Sequence, residues 1–97
     1  MVKIKWSLPA VKDLEEKCTY IAQDSNEYAR MFAQRIIETI ESVAVFPLSG
    51  RVAPEMKNET IGEKIYSNYR IIYQINNENI EIVRIIHNAR ELSKLDQ

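Results

Sequence analysis

A histidine and an arginine placed on neighbouring strands are the residues of this chain best suited to chemistry. His87 is the only histidine among 97 residues, and an imidazole with an unperturbed pKa of about 6.5 can give or take a proton near neutrality. Arg70 carries a permanent cation whose planar fork suits phosphate. The stretches Tyr69 to Ile75 and Ile80 to His87 are rich in Ile, Tyr and Val and are expected as antiparallel strands joined by a turn at Asn77-Glu78. That turn pairs Asn76 with Asn79, Ile75 with Ile80 and Tyr73 with Ile82. Uninterrupted alternation then puts Arg70 opposite Ile85 and one diagonal step from His87, a separation of roughly 7 to 8 Å. One sheet face would mix Ile72, Val83 and Ile85 with Arg70, Gln74, Glu81 and His87. The other would hold Tyr69, Ile71, Tyr73, Ile75, Ile80, Ile82 and Ile86, with Arg84 as its exception.

Other chemistries lack their residues. No Cys/His set has metal-ligand spacing, no Gly-rich loop could cradle a nucleotide phosphate, and one histidine leaves no Ser or Cys triad with a convincing second partner. No cofactor and no metal are expected. Cys18, the sole cysteine, cannot form an intrachain disulfide, and its place in a helical apolar stripe gives it a packing role. Plainer roles also stand beside the sharper ones. His87 can serve as a structural hydrogen-bonding ring, Arg84 as half of a buried or edge ion pair, and Tyr66, Tyr69 and Tyr73 as packing residues of the kind strands favour.

The elements that would position these side chains follow from periodicity. Val2, Ile4 and Trp6 alternate with Lys3, Lys5 and Ser7 as a short strand. Ser7 can cap a first helix, Pro9 is tolerated in its first turn, and Val11, Leu14, Cys18 and Ile21 form a narrow apolar side. Asp24-Ser25-Asn26-Glu27 has capping-box spacing, with Asp24 as the accepting acid. A longer helix follows along the stripe Ala29, Phe32, Ala33, Ile36, Ile37, Ile40, Val43 and Ala44, until Pro47 stops it. The two helices should pack as an antiparallel hairpin. Leu48 to about Thr60 reads as an extended loop, Glu63 to Tyr66 as a further strand turning at Ser67-Asn68, and Ala89 to Gln97 as one or two helical turns. The fold class is therefore α+β: a short N-terminal strand and a helical hairpin on a mainly antiparallel sheet of about four strands, in a single domain over 1–97.

Composition narrows the function. With 13 basic and 14 acidic residues the formal net charge is −1, without the basic excess that phosphate-driven binding usually shows. No apolar run approaches the roughly 20 residues that span a bilayer, and the Met-Val-Lys-Ile-Lys-Trp start lacks a secretory core, so a cytoplasmic location is expected.

Four motifs in order carry a resemblance that covers essentially the whole chain. Phe46-Pro47-Leu48-Ser49-Gly50-Arg51 resembles the helix-ending F-P-x-x-G-R of the RelE/ParE toxin superfamily, and Pro54-Glu55-Met56 its P-E-hydrophobic loop. Tyr69-Arg70-Ile71-Ile72-Tyr73 resembles its Y-R-[IL]-x-Y strand, and Ile82 to Arg90 its closing strand with H-x-x-R. The resemblance implies the toxin of a type II toxin–antitoxin pair, a growth inhibitor bound by an antitoxin as heterodimer or larger assembly. The target stays open, because function lives in the site and not in the fold. One branch, ParE-like, poisons DNA gyrase; the other, RelE-like, enters the ribosome and cleaves mRNA.

Metal-free RNA cleavage needs a base for the ribose 2′-hydroxyl, a cation for the phosphorane and an acid for the leaving oxygen. By resemblance to the ribonuclease branch, Glu55 takes the place of the base, Arg70 of the cation and His87 of the acid, with Arg51 and Lys57 as electrostatic helpers. Arg51, Lys57 and Arg90 are the expected target-binding residues. The same motifs suit the ParE-like branch, where a sheet arginine typically pairs with an acid. The balanced charge, and a chain end without tyrosine or a basic cluster, tilt the expectation toward ParE, with the ribonuclease or an inactive antitoxin-binding relative as alternatives.

Overall fold

The computed structural model describes residues 3–45, 51–52, 60–76 and 78–87. Along the chain run β1 (Lys3–Trp6), α1 (Leu8–Ala22), α2 (Asn26–Val45), β2 (Arg51–Val52), β3 (Ile61–Tyr66), β4 (Tyr69–Ile75) and β5 (Asn79–His87). The sheet order is β1-β5-β4-β3-β2, antiparallel throughout except where β1 lies parallel to β5. A parallel pair needs a long connection, and here the whole run from α1 to β4 lies between the two paired strands, β1 and β5. The α+β architecture is as the periodicity predicts. It differs by one small strand: Arg51 and Val52, expected in an extended loop, pair with Glu63 and Gly62.

Local chemistry sets the helix boundaries. Ser7 is extended (φ −72°, ψ 156°) and its Oγ accepts from the Ala10 N–H at 3.2 Å, while Pro9 occupies the first turn of α1 where no helical donor is lost. The second helix is capped by Ser25, whose Oγ accepts from the Tyr28 N–H at 3.1 Å. This corrects the expected role of Asp24: the helix starts one residue later, and a hydroxyl does what the carboxylate was expected to do. The helix ends at Val45, and Pro47, its expected stop, lies outside the described residues, as do Val2, most of the expected 48–60 loop and the 89–97 tail.

Ile36, Ile40, Val43 and Phe32 of α2 and Ala10 of α1 close on Ile71, Tyr73, Ile80, Ile82 and Ile85 of the sheet. Burying each large apolar side chain of this kind contributes about 1.5 to 3 kcal/mol, which is why these positions define the helix-covered face. α1 packs over β5 and α2 over β3. Strand β3 begins two residues before the expected Glu63 because Gly62 has no side chain. A Cβ there would lie 2.7 Å from Tyr73 Cζ, so the buried tyrosine ring takes the space across the ladder. Among the described residues, no helix is long and apolar enough to cross a membrane.

One irregularity reorders the end of β5. Ile75↔Ile80 and Tyr73↔Ile82 pair as the turn predicts, but Ile72 pairs with Arg84 and not with Val83. The ladder skips Val83 in a β-bulge, and every later residue changes face relative to simple alternation. Ile71 therefore faces Ile85, Arg70 faces Ile86 and Tyr69 faces His87. Simple alternation would have set Arg84 opposite Ile71, which is fully buried in the core. The bulge replaces that guanidinium with Ile85 and releases Arg84 to bind Asp13 of α1, Nε to Oδ2 at 2.6 Å and Nη2 to Oδ1 at 3.1 Å.

Candidate functional site

Arg70 and Glu63 form the charged centre of the sheet face turned away from the helices. Their strands meet so that Ile65 opposes Arg70, which leaves Glu63 on the diagonal of the same face. Arg70 Nε donates to Glu63 Oε2 at 2.5 Å, and Nη2 reaches the same oxygen. Arg70 is 2% exposed and Glu63 1%. A pair buried this deeply is held by mutual attraction against a large desolvation cost, so the guanidinium is committed to the fold. Ile72 and Ile86, also buried, flank it on that face.

His87 lies on the other side. It faces Tyr69, and their rings meet edge to face with centroids 5.3 Å apart; Tyr69 in turn packs on Phe32 of α2 at 4.8 Å. The expected neighbourhood of Arg70 and His87 is thus corrected. They sit at adjacent ladder positions but on opposite faces, because the bulge at Val83 advances the strand by one residue. The structure does not bring this cation and this imidazole together. Arg51 opens β2, its Cα opposite that of Glu63. Glu55, Lys57 and Arg90 lie outside the described residues.

Around the His87 side of the sheet the surface is aromatic and apolar. Ile21, Tyr28, Met31, Phe32, Tyr66, Ser67 and Tyr69 line an open groove of about 240 Å³ where the helical hairpin meets the β3–β4 turn. Tyr28 is 66% and Met31 48% exposed, and Tyr20 is another large exposed side chain on the hairpin. The turn that forms one wall places Ser67 at φ 55°, in the left-handed region. An open apolar groove with few polar groups suits a docked side chain or segment better than proton transfer.

Two partners escaped the sequence reading. Glu63 was legible in principle: the Ser67-Asn68 turn fixes Tyr66 opposite Tyr69, and counting back puts Glu63 diagonal to Arg70. Asp13 was not, since its meeting with Arg84 depends on the bulge and on how α1 crosses the sheet. Asp13 is 6% exposed, and its Oδ2 also accepts from the Ile85 N–H at 2.9 Å. Arg84 is thus in an ion pair, as expected. Cys18 is half-buried against the core, its Sγ 4.0 Å from the Ala29 carbonyl oxygen, and burial raises its thiol pKa.

Comparison with known proteins places this geometry. Residues 4–92 match the family described as the ParE toxin of the type II toxin–antitoxin system, parDE. Toxin RelE2 of Caulobacter vibrioides is 32% identical over 90 residues, covering 93% of this chain and 99% of that protein. Among solved structures, the chromosomal ParDE system of P. aeruginosa contains a chain with TM-score 0.72 and 20% identity, covering 90% of this chain and 96% of that one. The toxin–antitoxin complex RelBE2 of Mycobacterium tuberculosis contains one with TM-score 0.64 and 17% identity, covering 89% and 96%. With a family match across almost its full length, the chain belongs to the RelE/ParE superfamily of type II toxin–antitoxin toxins, in the ParE toxin family.

Proposed function

We propose that this toxin inhibits growth by binding, in the ParE manner, and that its target is DNA gyrase held on DNA in the cytoplasm. The observation that carries the proposal is the buried Glu63–Arg70 pair on the face opposite His87. A ribonuclease of the RelE kind would need a cation and an acid converging on one phosphate. Here the cation that the resemblance nominates is neutralised within the fold, and the imidazole packs against Tyr69. The net charge of −1 agrees with a protein target more than with a docking site made of RNA. Purified toxin should inhibit gyrase supercoiling and accumulate cleaved DNA. Uninhibited gyrase at toxin concentrations that arrest cells, together with shortened mRNA lifetimes, would transfer the chain to the ribosomal branch.

An antitoxin partner belongs to the same proposal. The solved relatives are a ParDE system and a RelBE2 complex, and this chain exposes Tyr20, Tyr28 and Met31 along its hairpin. A partner that covers these side chains and fills the groove between α2 and the β3–β4 turn would remove exposed apolar surface from water. Co-expression with a cognate antitoxin should relieve growth arrest and yield a stable complex on gel filtration.

A further inference from the structure

The polar contacts at the start of α1 exceed what starting a helix requires. Capping asks only that Ser7 Oγ accept a backbone N–H. Ser7 also donates that hydroxyl to the Val83 carbonyl at 2.9 Å, and its own N–H donates to the Ile82 carbonyl at 3.0 Å. Asp13, two turns along, accepts from the Ile85 N–H at 2.9 Å and from Arg84 Nε at 2.6 Å. Together the two residues grip both sides of the bulge, from Ile82 to Ile85. We propose that Ser7 and Asp13 are positioning residues that lock the β5 bulge at Val83 and thereby decide which sheet face presents His87.

Two arrangements of the strand end compete physically. In the regular ladder, Arg84 would stand opposite Ile71 under the helices, Ile85 opposite Arg70, and His87 would leave Tyr69 for the face of Arg70. In the bulged ladder, Ile85 fills the core and Arg84 meets Asp13. Burial of an unpaired guanidinium disfavours the first arrangement, and the Asp13 acceptor stabilises the second. The consequence for activity, that the lock keeps Arg70 and His87 apart, rests on the binding reading above. The lock itself does not.

Two double variants separate the acceptor from the charge. Asp13→Asn with Arg84→Leu and Asp13→Ala with Arg84→Leu are both free of an unpaired buried ion, and only the first retains an oxygen for the Ile85 N–H. NMR of the purified chain should show the Ile71–Ile85 and Tyr69–His87 cross-strand contacts in wild type and in the Asn variant. In the Ala variant these contacts should be lost and residue 84 should appear opposite Ile71, while β1 remains paired with the Asn79–Ile82 half of β5. Identical pairing in the two variants would overturn the proposal. Ser7→Gly keeps an acceptable cap and removes the bond to Val83. It should speed exchange of the Ile85 amide at least about fivefold, the factor carried by one net hydrogen bond, and an unchanged rate would remove Ser7 from the lock. No gyrase, RNA or antitoxin enters these measurements, so failure of the target assignment leaves them intact.

Discussion

Removing one partner of the Glu63–Arg70 pair tests the structural assignment of Arg70 most directly. Both side chains are almost fully buried and joined by a 2.5 Å hydrogen bond, so Glu63→Ala removes the carboxylate that meets the guanidinium in a low-dielectric setting. Breaking such a pair costs about 3 to 5 kcal/mol, against a total stability of about 5 to 15 kcal/mol for an ordinary domain. The variant should unfold at markedly lower urea, approaching the limit of stable folding. Replacing both partners by apolar groups of similar volume, Glu63→Leu with Arg70→Met, removes the desolvation cost along with the attraction. That double variant should match or exceed wild-type stability, because such replacements are often neutral or stabilising by about 1 to 4 kcal/mol. It should also retain gyrase inhibition, since the guanidinium serves the fold. Two results would refute this reasoning: a Glu63→Ala midpoint within experimental error of wild type, or a folded double variant that binds antitoxin normally yet leaves gyrase untouched.

Three further outcomes follow from other parts of the molecule. Gly62→Ala drives a Cβ to 2.7 Å from the buried Tyr73 ring, and overpacking of this kind should lower stability by about 1 to 3 kcal/mol in urea or thermal unfolding. Met31→Asp charges the rim of the groove at a side chain that is 48% exposed, so the melting temperature should hardly move while antitoxin affinity falls at least about tenfold, as at an interface anchor. Burial raises the Cys18 thiol pKa, so alkylation near neutral pH should be slower than for a free thiol. The sign on stability follows. The folded state holds the thiol proton more tightly than the unfolded one, so this group's contribution falls as pH rises from the ordinary thiol value through the raised one.

Most of the fold was legible because its signals are local and redundant. The helical stripe from Ala29 to Ala44, the Ser7 cap with Pro9 behind it, and the Ser67-Asn68 and Asn77-Glu78 turns each fix an element without reference to distant residues. What was missed depends on contacts between elements. The Arg51–Val52 pairing with β3 is too short to leave a period. Asp24 and Ser25 are both good caps, and choosing between them requires the path of the turn. The Arg84–Asp13 bond joins residues 71 positions apart, a separation across which sequence pattern carries no information.

The site illustrates how one residue skipped in a ladder separates two side chains that the sequence pattern places together. Arg70 and His87 both occur within motifs that resemble either toxin branch, and their positions in the sequence invite a shared chemical role. A single residue without a ladder partner, Val83, sends the second of them to the other face. Side-chain period in a strand is two, so an odd insertion inverts everything beyond it. Motif strings record residue types and spacing but not phase, which the ladder, the helix start and the Asp13 carboxylate set together. Assigning a catalytic role within this fold therefore requires the register of β5 to be established first, and here that register sets His87 against Tyr69 while the β3–β4 ladder brings Arg70 to Glu63.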